Sequence, residues 1–535
     1  MSFNKIIMAV AGLMTLNLSA APKPNIIYVL MDDMGQGDVS CFNSSSKIHT
    51  PHIDSLAANG MMFTDAHTNS AVCTPTRYGV LTGRYAWRTH LKRSVIGGTS
   101  PSLIKPGRMT LASMLKENGY HTGMIGKWHL GWDFSFHPDS VKIDPLYWGY
   151  TPGTKIDYAK GVKNGPDVHG FEYYYAIPSS LDIPPYLYVE NGKVTNLEIT
   201  ERKGEEGERL WRAGPMAGDF DIEDVTPNFF RRANQFIKKN AQAEKPFFLY
   251  LPLPSPHTPI LPIKKFQGMS GINAYGDFIL QIDAHVGELI KTLKSTGIYD
   301  NTLLVFTADN GISPRADMTT INNAGHFSSN GFRGRKADIF EGGHRVPYIV
   351  SWPNGGVKAG SICDQTICTT DMLATLADVV GSTLPINAGE DSYSTLALLM
   401  QKPWDFKRPA TVHHSINGSF AIRQGDWKLI FCAGSGGWPK SDLTPEMAKS
   451  QGLPVIQLYN LKSDPAETNN IFSSYPHIVD RLTALMQKYI QDGRSTPGKA
   501  QKNTGETPFL PEGFAELSAK LARQENQNVK VDGIK

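Results

Sequence analysis

Short apolar runs recur along this chain, and each ends in polar residues capable of chemistry. Ile26-Ile27-Tyr28-Val29-Leu30-Met31 runs into Asp32-Asp33, and Leu303-Leu304-Val305-Phe306-Thr307 runs into Asp309-Asn310. Phe247-Phe248-Leu249-Tyr250-Leu251 leads to His257, and Thr122 to Ile125 leads to Lys127 and His129. Runs of this length predict buried strands. Between them the period is helical: Leu111, Met114 and Leu115 share a face ahead of Gly119, and Ile279, Ile282, Val286, Leu289 and Leu293 share one ahead of Gly297. Thr226-Pro227 opens a third helix, with Ala233, Phe236 and Ile237 on its apolar side. The alternation predicts an α/β fold, a large mixed, mostly parallel sheet sandwiched by helices. Ligands of such sheets bind beyond the carboxyl ends of the strands, so the four polar clusters are expected on one edge.

From Tyr147 to about Gly218 the pattern turns irregular and rich in Gly, Pro and aromatics, as in Phe171-Glu172-Tyr173-Tyr174-Tyr175 and Ile183-Pro184-Pro185-Tyr186. This stretch is expected to form recognition loops, with aromatics available for stacking. After about Met400 the pattern changes again, and Phe420 to Ile430 predicts a hairpin.

With 535 residues the chain exceeds one ordinary core. Residues 1–20 read as a signal peptide: Lys5 precedes an apolar run from Ile6 to Leu18, followed by Ser19, Ala20 and Ala21. Export to the periplasm or the medium follows. The apolar run is short for a membrane span and no later segment reaches the needed length, so no membrane span is expected. A main domain is expected over 21–400 and a smaller one over 401–535. Charged residues make up 19% and the net charge is +3, with no basic block, which argues against a nucleic-acid partner. Of five cysteines, Cys41, Cys363, Cys368 and Cys432 have no zinc-like spacing; in an oxidising compartment they could pair, with connectivity open.

The fifth, Cys73, opens Cys73-Thr74-Pro75-Thr76-Arg77, followed by Leu81-Thr82-Gly83-Arg84. Pro75 suits a first helical turn, which would aim free N–H groups at an anion beside Cys73, with Arg77 one turn on. Asp32, Asp33, Asp309 and Asn310 at two strand ends supply four oxygen donors, which suit a hard divalent cation such as Ca²⁺ better than zinc. The Cys-x-Pro-x-Arg segment resembles the signature of the formylglycine-dependent sulfatases of the alkaline phosphatase superfamily. Gly119-Tyr120-His121-Thr122-Gly123-Met124-Ile125-Gly126-Lys127-Trp128-His129-Leu130-Gly131 resembles a second block of that family, and smaller similarities run from about Asn25 to about Pro497.

The resemblance implies that a formylglycine-generating or sulfatase-maturating enzyme oxidises Cys73 to an aldehyde, whose hydrate attacks sulfur. It implies Ca²⁺ on Asp32, Asp33, Asp309 and Asn310, with the oxygens of modified Cys73 completing the shell. Arg77 would help hold the hydrate, and Lys127, His257 and Lys336 would neutralise the sulfate. His257 or Lys336 would protonate the leaving oxygen, and His129 would take the proton that frees sulfate afterwards. Asp182, His326 and Arg335 are the expected substrate contacts. Tyr175 to Asp182 and Gly493 to Gly498 resemble bacterial sulfatases acting on 6-sulfated galactose or N-acetylgalactosamine. The implied smaller C-terminal domain is a short antiparallel sheet with a packed helix. A phosphonate or phosphate ester hydrolase of the same superfamily is the alternative enzyme. A protein that binds sulfated glycans without cleaving them is the reading if Cys73 stays a thiol.

Overall fold

The computed structural model describes residues 23–438, 445–505, 514, 515, 517, 519 and 520. The expected signal peptide lies outside them, as does part of the C-terminal tail. A 10-stranded sheet forms the core. Asn25–Met31 runs through its centre, parallel to Phe247–Pro252 on one side and to Thr302–Ala308 on the other. His121–Lys127 and then Tyr173–Ile177 extend the parallel set beyond Phe247–Pro252. Tyr348–Ser351 pairs antiparallel with Thr302–Ala308, which makes the sheet mixed.

The central strands are apolar on both faces because helices cover both. Pro51–Ala58, Val225–Asn240 and Ala274–Ser295 pack together as one layer, while Cys73–Thr82, Leu111–Glu117 and Met372–Val380 form the other. The expected α/β sandwich is therefore present.

One element departs from expectation. Tyr173–Ile177 lies inside the stretch read as irregular, yet it is a strand of the main sheet. Its aromatics are core rather than free stacking surfaces: Tyr174 and Tyr175 are buried, and Tyr175 stacks on buried Tyr188 with ring centres 4.9 Å apart.

Towards the C-terminus, Thr411–His414, Phe420–Gln424, Trp427–Ile430 and Gln457–Asn460 form a four-stranded antiparallel sheet. The helix Pro476–Gln491 packs on it through Ile478, Val479, Leu482, Met486 and Tyr489, an apolar stripe of helical period. Tyr85 and Trp87 of the main unit enter the same core. None of the five cysteines is paired with another. No described helix is long and apolar enough to cross a membrane.

Candidate active site

The tips of four neighbouring parallel strands meet the start of one helix. Val72 is extended, and Cys73 is the first residue of Cys73–Thr82, which ends at Gly83 in the left-handed conformation that glycine tolerates (φ 60°). All ten residues of the helix are buried. The Cys73 thiol donates to Asp32 Oδ1 at 3.4 Å. Burial, and then the Asp32 charge, push its pKa well above the ordinary thiol value. The sulfur is thus a protonated thiol and a poor nucleophile.

Around it three carboxylates face three basic side chains. Arg77, one turn along the helix, reaches Asp309 Oδ2 through Nε at 2.9 Å and Nη2 at 2.8 Å, and Asp32 Oδ2 at 3.4 Å. Lys127 Nζ, at the end of its strand, lies 2.5 Å from Asp32 Oδ2. Lys336 Nζ contacts both Asp33 oxygens, at 2.7 and 2.8 Å. Burial opposes the charge on Asp32, but Lys127, His257, Arg77 and Lys336 outweigh it and hold the carboxyl well below its usual range. Asp309, crowded by burial and by Asp32, is pushed up to about 6.

Asn310 donates to Asp33 Oδ1 at 2.7 Å, while its own Oδ1 is buried without a hydrogen-bond partner. An orphaned amide oxygen beside three carboxylates is the donor set a hard divalent cation takes. Asp32, Asp33, Cys73 and His257 also bring potential ligand atoms within 4.8 Å of one another.

His129 has a backbone φ of 51° and its Nε2 donates to the Ile96 carbonyl at 3.0 Å. Nδ1 is therefore the basic nitrogen, and it is buried and unpartnered. Burial and Lys127 hold the ring well below the usual histidine pKa, so it is neutral. His257 Nδ1 donates to the Thr258 carbonyl at 2.7 Å, and Nε2 lies 3.7 Å from Asp33 Oδ2.

These groups open into a cavity of about 730 Å³ lined by Cys73, His129, His257 and Lys336. Asp182 and Arg335 also line it, whereas His326 does not. His326 is fully buried elsewhere, donating from Nε2 to Asp38 at 2.9 Å and accepting from the Lys47 N–H at 3.2 Å. Sequence reasoning missed Trp148, Arg212, Arg315 and Trp438 on the cavity wall. They sit in loops without hydrophobic period; only the aromatic richness around Trp148 offered a signal.

Glu341-Gly342-Gly343 braces the floor from behind. Gly311 N–H bonds the Gly343 carbonyl at 3.0 Å and Gly342 N–H bonds the Arg333 carbonyl at 2.7 Å. A Cβ on Gly342 would lie 2.3 Å from the Gly334 carbonyl oxygen, so only glycine lets the Asn310 and Lys336 loops approach this closely. Glu341 is anchored on Lys428 Nζ at 3.0 Å, and Lys428 also holds Glu467 at 2.8 Å, all three fully out of solvent. The segment before Cys73 is tied in too: Ala337 N–H bonds the Ala71 carbonyl, and Ala71 N–H bonds the His414 carbonyl of the small sheet.

Fixed cations around a buried, oxygen-rich pocket suit cleavage of an ester of a tetrahedral oxyanion, where negative charge must be held without reorganisation. The sulfatase family profile matches residues 24–382. An N-acetylgalactosamine-6-O-sulfatase of Bacteroides thetaiotaomicron is 35% identical over 511 residues, covering 87% of this chain and 93% of that protein. Human N-acetylgalactosamine-6-sulfatase is 28% identical, covering 88% and 86%. A solved structure from work on glycosaminoglycan metabolism by Bacteroides thetaiotaomicron superposes with a TM-score of 0.75 at 33% identity, covering 88% of this chain and 99% of that one. The chain belongs to the sulfatase family of the alkaline phosphatase superfamily and is a sulfuric ester hydrolase.

Proposed function

We propose that this enzyme removes O-sulfate from carbohydrates after export to the periplasm or the medium, and that its sugar is 6-sulfated galactose or N-acetylgalactosamine. The printed activity of the Bacteroides thetaiotaomicron relative supports the sugar class. The observation that carries the reading is the cavity lined by Cys73, a neutral His129, His257 and Lys336, with Arg77 and Lys127 held behind it on Asp309 and Asp32.

Asp32, Asp33, Asp309 and Asn310 would hold Ca²⁺, which lowers the pKa of a coordinated hydroxyl and offsets the repulsion of the buried acids. Formylglycine made from Cys73 by a maturating enzyme would supply, as its hydrate, the oxygen nucleophile that a protonated thiol cannot. Arg77, braced between Asp309 and Asp32, orients that position. Lys127, Lys336 and His257 bind the sulfate oxygens and neutralise charge as it develops. Burial opposes the charge on Lys336, but Asp33 raises its pKa above the ordinary lysine value. His257 or Lys336 is the donor to the leaving sugar oxygen. His129 Nδ1, neutral and free, takes the proton that later frees sulfate. Asp182 Oδ1, which has no hydrogen-bond partner, accepts from a sugar hydroxyl, while its Oδ2 is held by Arg212 at 2.6 Å.

The test joins a mass spectrum of the Cys73 peptide from natively matured protein to desulfation assays on defined sulfated sugars. The aldehyde or its hydrate, with turnover of 6-sulfated galactose-type sugars, is expected. An unmodified thiol in active enzyme, or activity confined to glucosamine or uronate sulfates, would refute the chemistry or the sugar respectively. Faster cleavage of an aryl phosphate diester than of the matched sulfate would favour the phosphoester alternative.

A further inference from the structure

The cavity carries more positive charge than its catalytic floor uses. At the floor Asp32, Asp33 and Asp309 balance Arg77, Lys127 and Lys336, and on the wall Asp182 neutralises Arg212. Two further guanidinium groups, those of Arg315 and Arg335, line the same cavity. Neither makes an ion pair among the described residues. Among the described residues the Arg335 guanidinium reaches only the Met318 sulfur, at 3.5 Å, while the Arg335 N–H bonds Asp338 Oδ2 at 3.1 Å; Arg315 is exposed. Their segments form one wall, because Lys336 N–H bonds the Ile312 carbonyl at 3.0 Å and Arg315 N–H bonds Ser313 Oγ at 3.3 Å. With a net charge of only +3 on 535 residues, two unneutralised arginines in one cavity are not the overflow of a basic surface.

A guanidinium presents a fixed fork that matches a carboxylate or a sulfate with two parallel hydrogen bonds. The cavity, at about 730 Å³, has the size of pockets that enclose whole ligands, ~300–1,000 Å³, so it has room beyond the reacting sulfate. We propose that Arg315 and Arg335 form a second anion subsite. It takes an anionic group on the sugar next to the one being desulfated, so the preferred substrate is an acidic oligosaccharide rather than an isolated sulfated sugar. The inference rests on the carbohydrate reading above and adds its second charge.

The experiment uses enzyme whose Cys73 conversion has been verified, and three disaccharides that share one sulfated sugar. The neighbouring sugar is neutral, a uronic acid, or itself sulfated. Wild type is expected to favour at least one anionic disaccharide over the neutral one by about tenfold in kcat/KM, chiefly through KM, and which one identifies the anion. The preference should shrink at high ionic strength, as for any exposed charge pair. It should fall to about twofold in R315Q/R335Q and to an intermediate value in Arg315→Gln, a change at an exposed position that leaves folding intact. Equal turnover of all three by wild type, or a preference untouched in Arg315→Gln, overturns the subsite and leaves the carbohydrate reading standing. Turnover of none of the three overturns the carbohydrate reading itself.

Discussion

Replacing Lys428 by methionine removes a cation that touches Glu341 and Glu467 at 3.0 and 2.8 Å where none of the three side chains meets water. At an effective dielectric of about 20 each contact carries roughly 5–6 kcal/mol of attraction, most of which the desolvation of the ions offsets. After the substitution Glu341 keeps Arg345 at 3.3 Å and Arg423 at 3.6 Å. Glu467 keeps the Glu341 N–H at 2.6 Å, and its pKa, already pushed up to about 7 by burial with Glu341 adding to it, rises further. Proton uptake limits the damage, so a loss of about 3 kcal/mol is expected, the low end of the ~3–5 kcal/mol for breaking a buried pair.

The sign of the pH dependence follows. A carboxyl whose folded pKa lies above its unfolded value binds extra protons when folded, so stability falls as pH rises between the two. The loss in Lys428→Met should therefore be larger at pH 8 than at pH 6, by up to about 1.4 kcal/mol per pH unit. Urea unfolding at both pH values measures it, and adding Glu467→Gln should recover most of it. A loss under about 1 kcal/mol, or one that does not grow with pH, would refute the argument.

Three further outcomes are expected. Because His129 is held neutral by burial and Lys127, the acid limb of kcat/KM should lie below pH 6.5; a limb at or above that value that vanishes in His129→Gln would contradict its assignment as base. Chelation with EGTA should lower both activity and the thermal midpoint, and Ca²⁺ at a hundred times its Kd should restore about 2.7 kcal/mol; an unmoved midpoint would dismiss the proposed cation. Gly342→Ala, whose Cβ would press on backbone oxygens at 2.3 and 2.7 Å, should lose about 1–3 kcal/mol and reduce kcat through the displaced Lys336 loop; wild-type stability and turnover would remove the bracing role.

Much of the sheet was legible because its central strands are buried on both faces, which leaves unbroken apolar runs whose ends are marked by Asp32, Lys127 and Asp309. Tyr173–Ile177 escaped notice because its core is tyrosine, which reads as a binding loop until its rings are seen packed on one another. The motif-bearing residues Cys73, Arg77, Lys127 and His129 stood out because contiguous spacing carried them. Arg212, Arg315 and Trp438 come from unrelated loops, and only the fold makes them neighbours. His326 shows the converse: a histidine near functional loops in sequence is taken up by Asp38, because a buried carboxylate needs a donor more than the cavity needs a ring. The Glu341–Lys428–Glu467 contact joins residues far apart in sequence and leaves no local pattern.

That contact also has a consequence for biosynthesis. A ribosome releases the chain from its N-terminal end, so Cys73 emerges long before Lys428 and Glu467 exist to lock the brace behind it. In the folded chain every residue of its helix is buried, so an enzyme that reads Cys73–Arg77 as linear sequence would need the segment open. Chemistry on that cysteine by such a partner would precede completed folding.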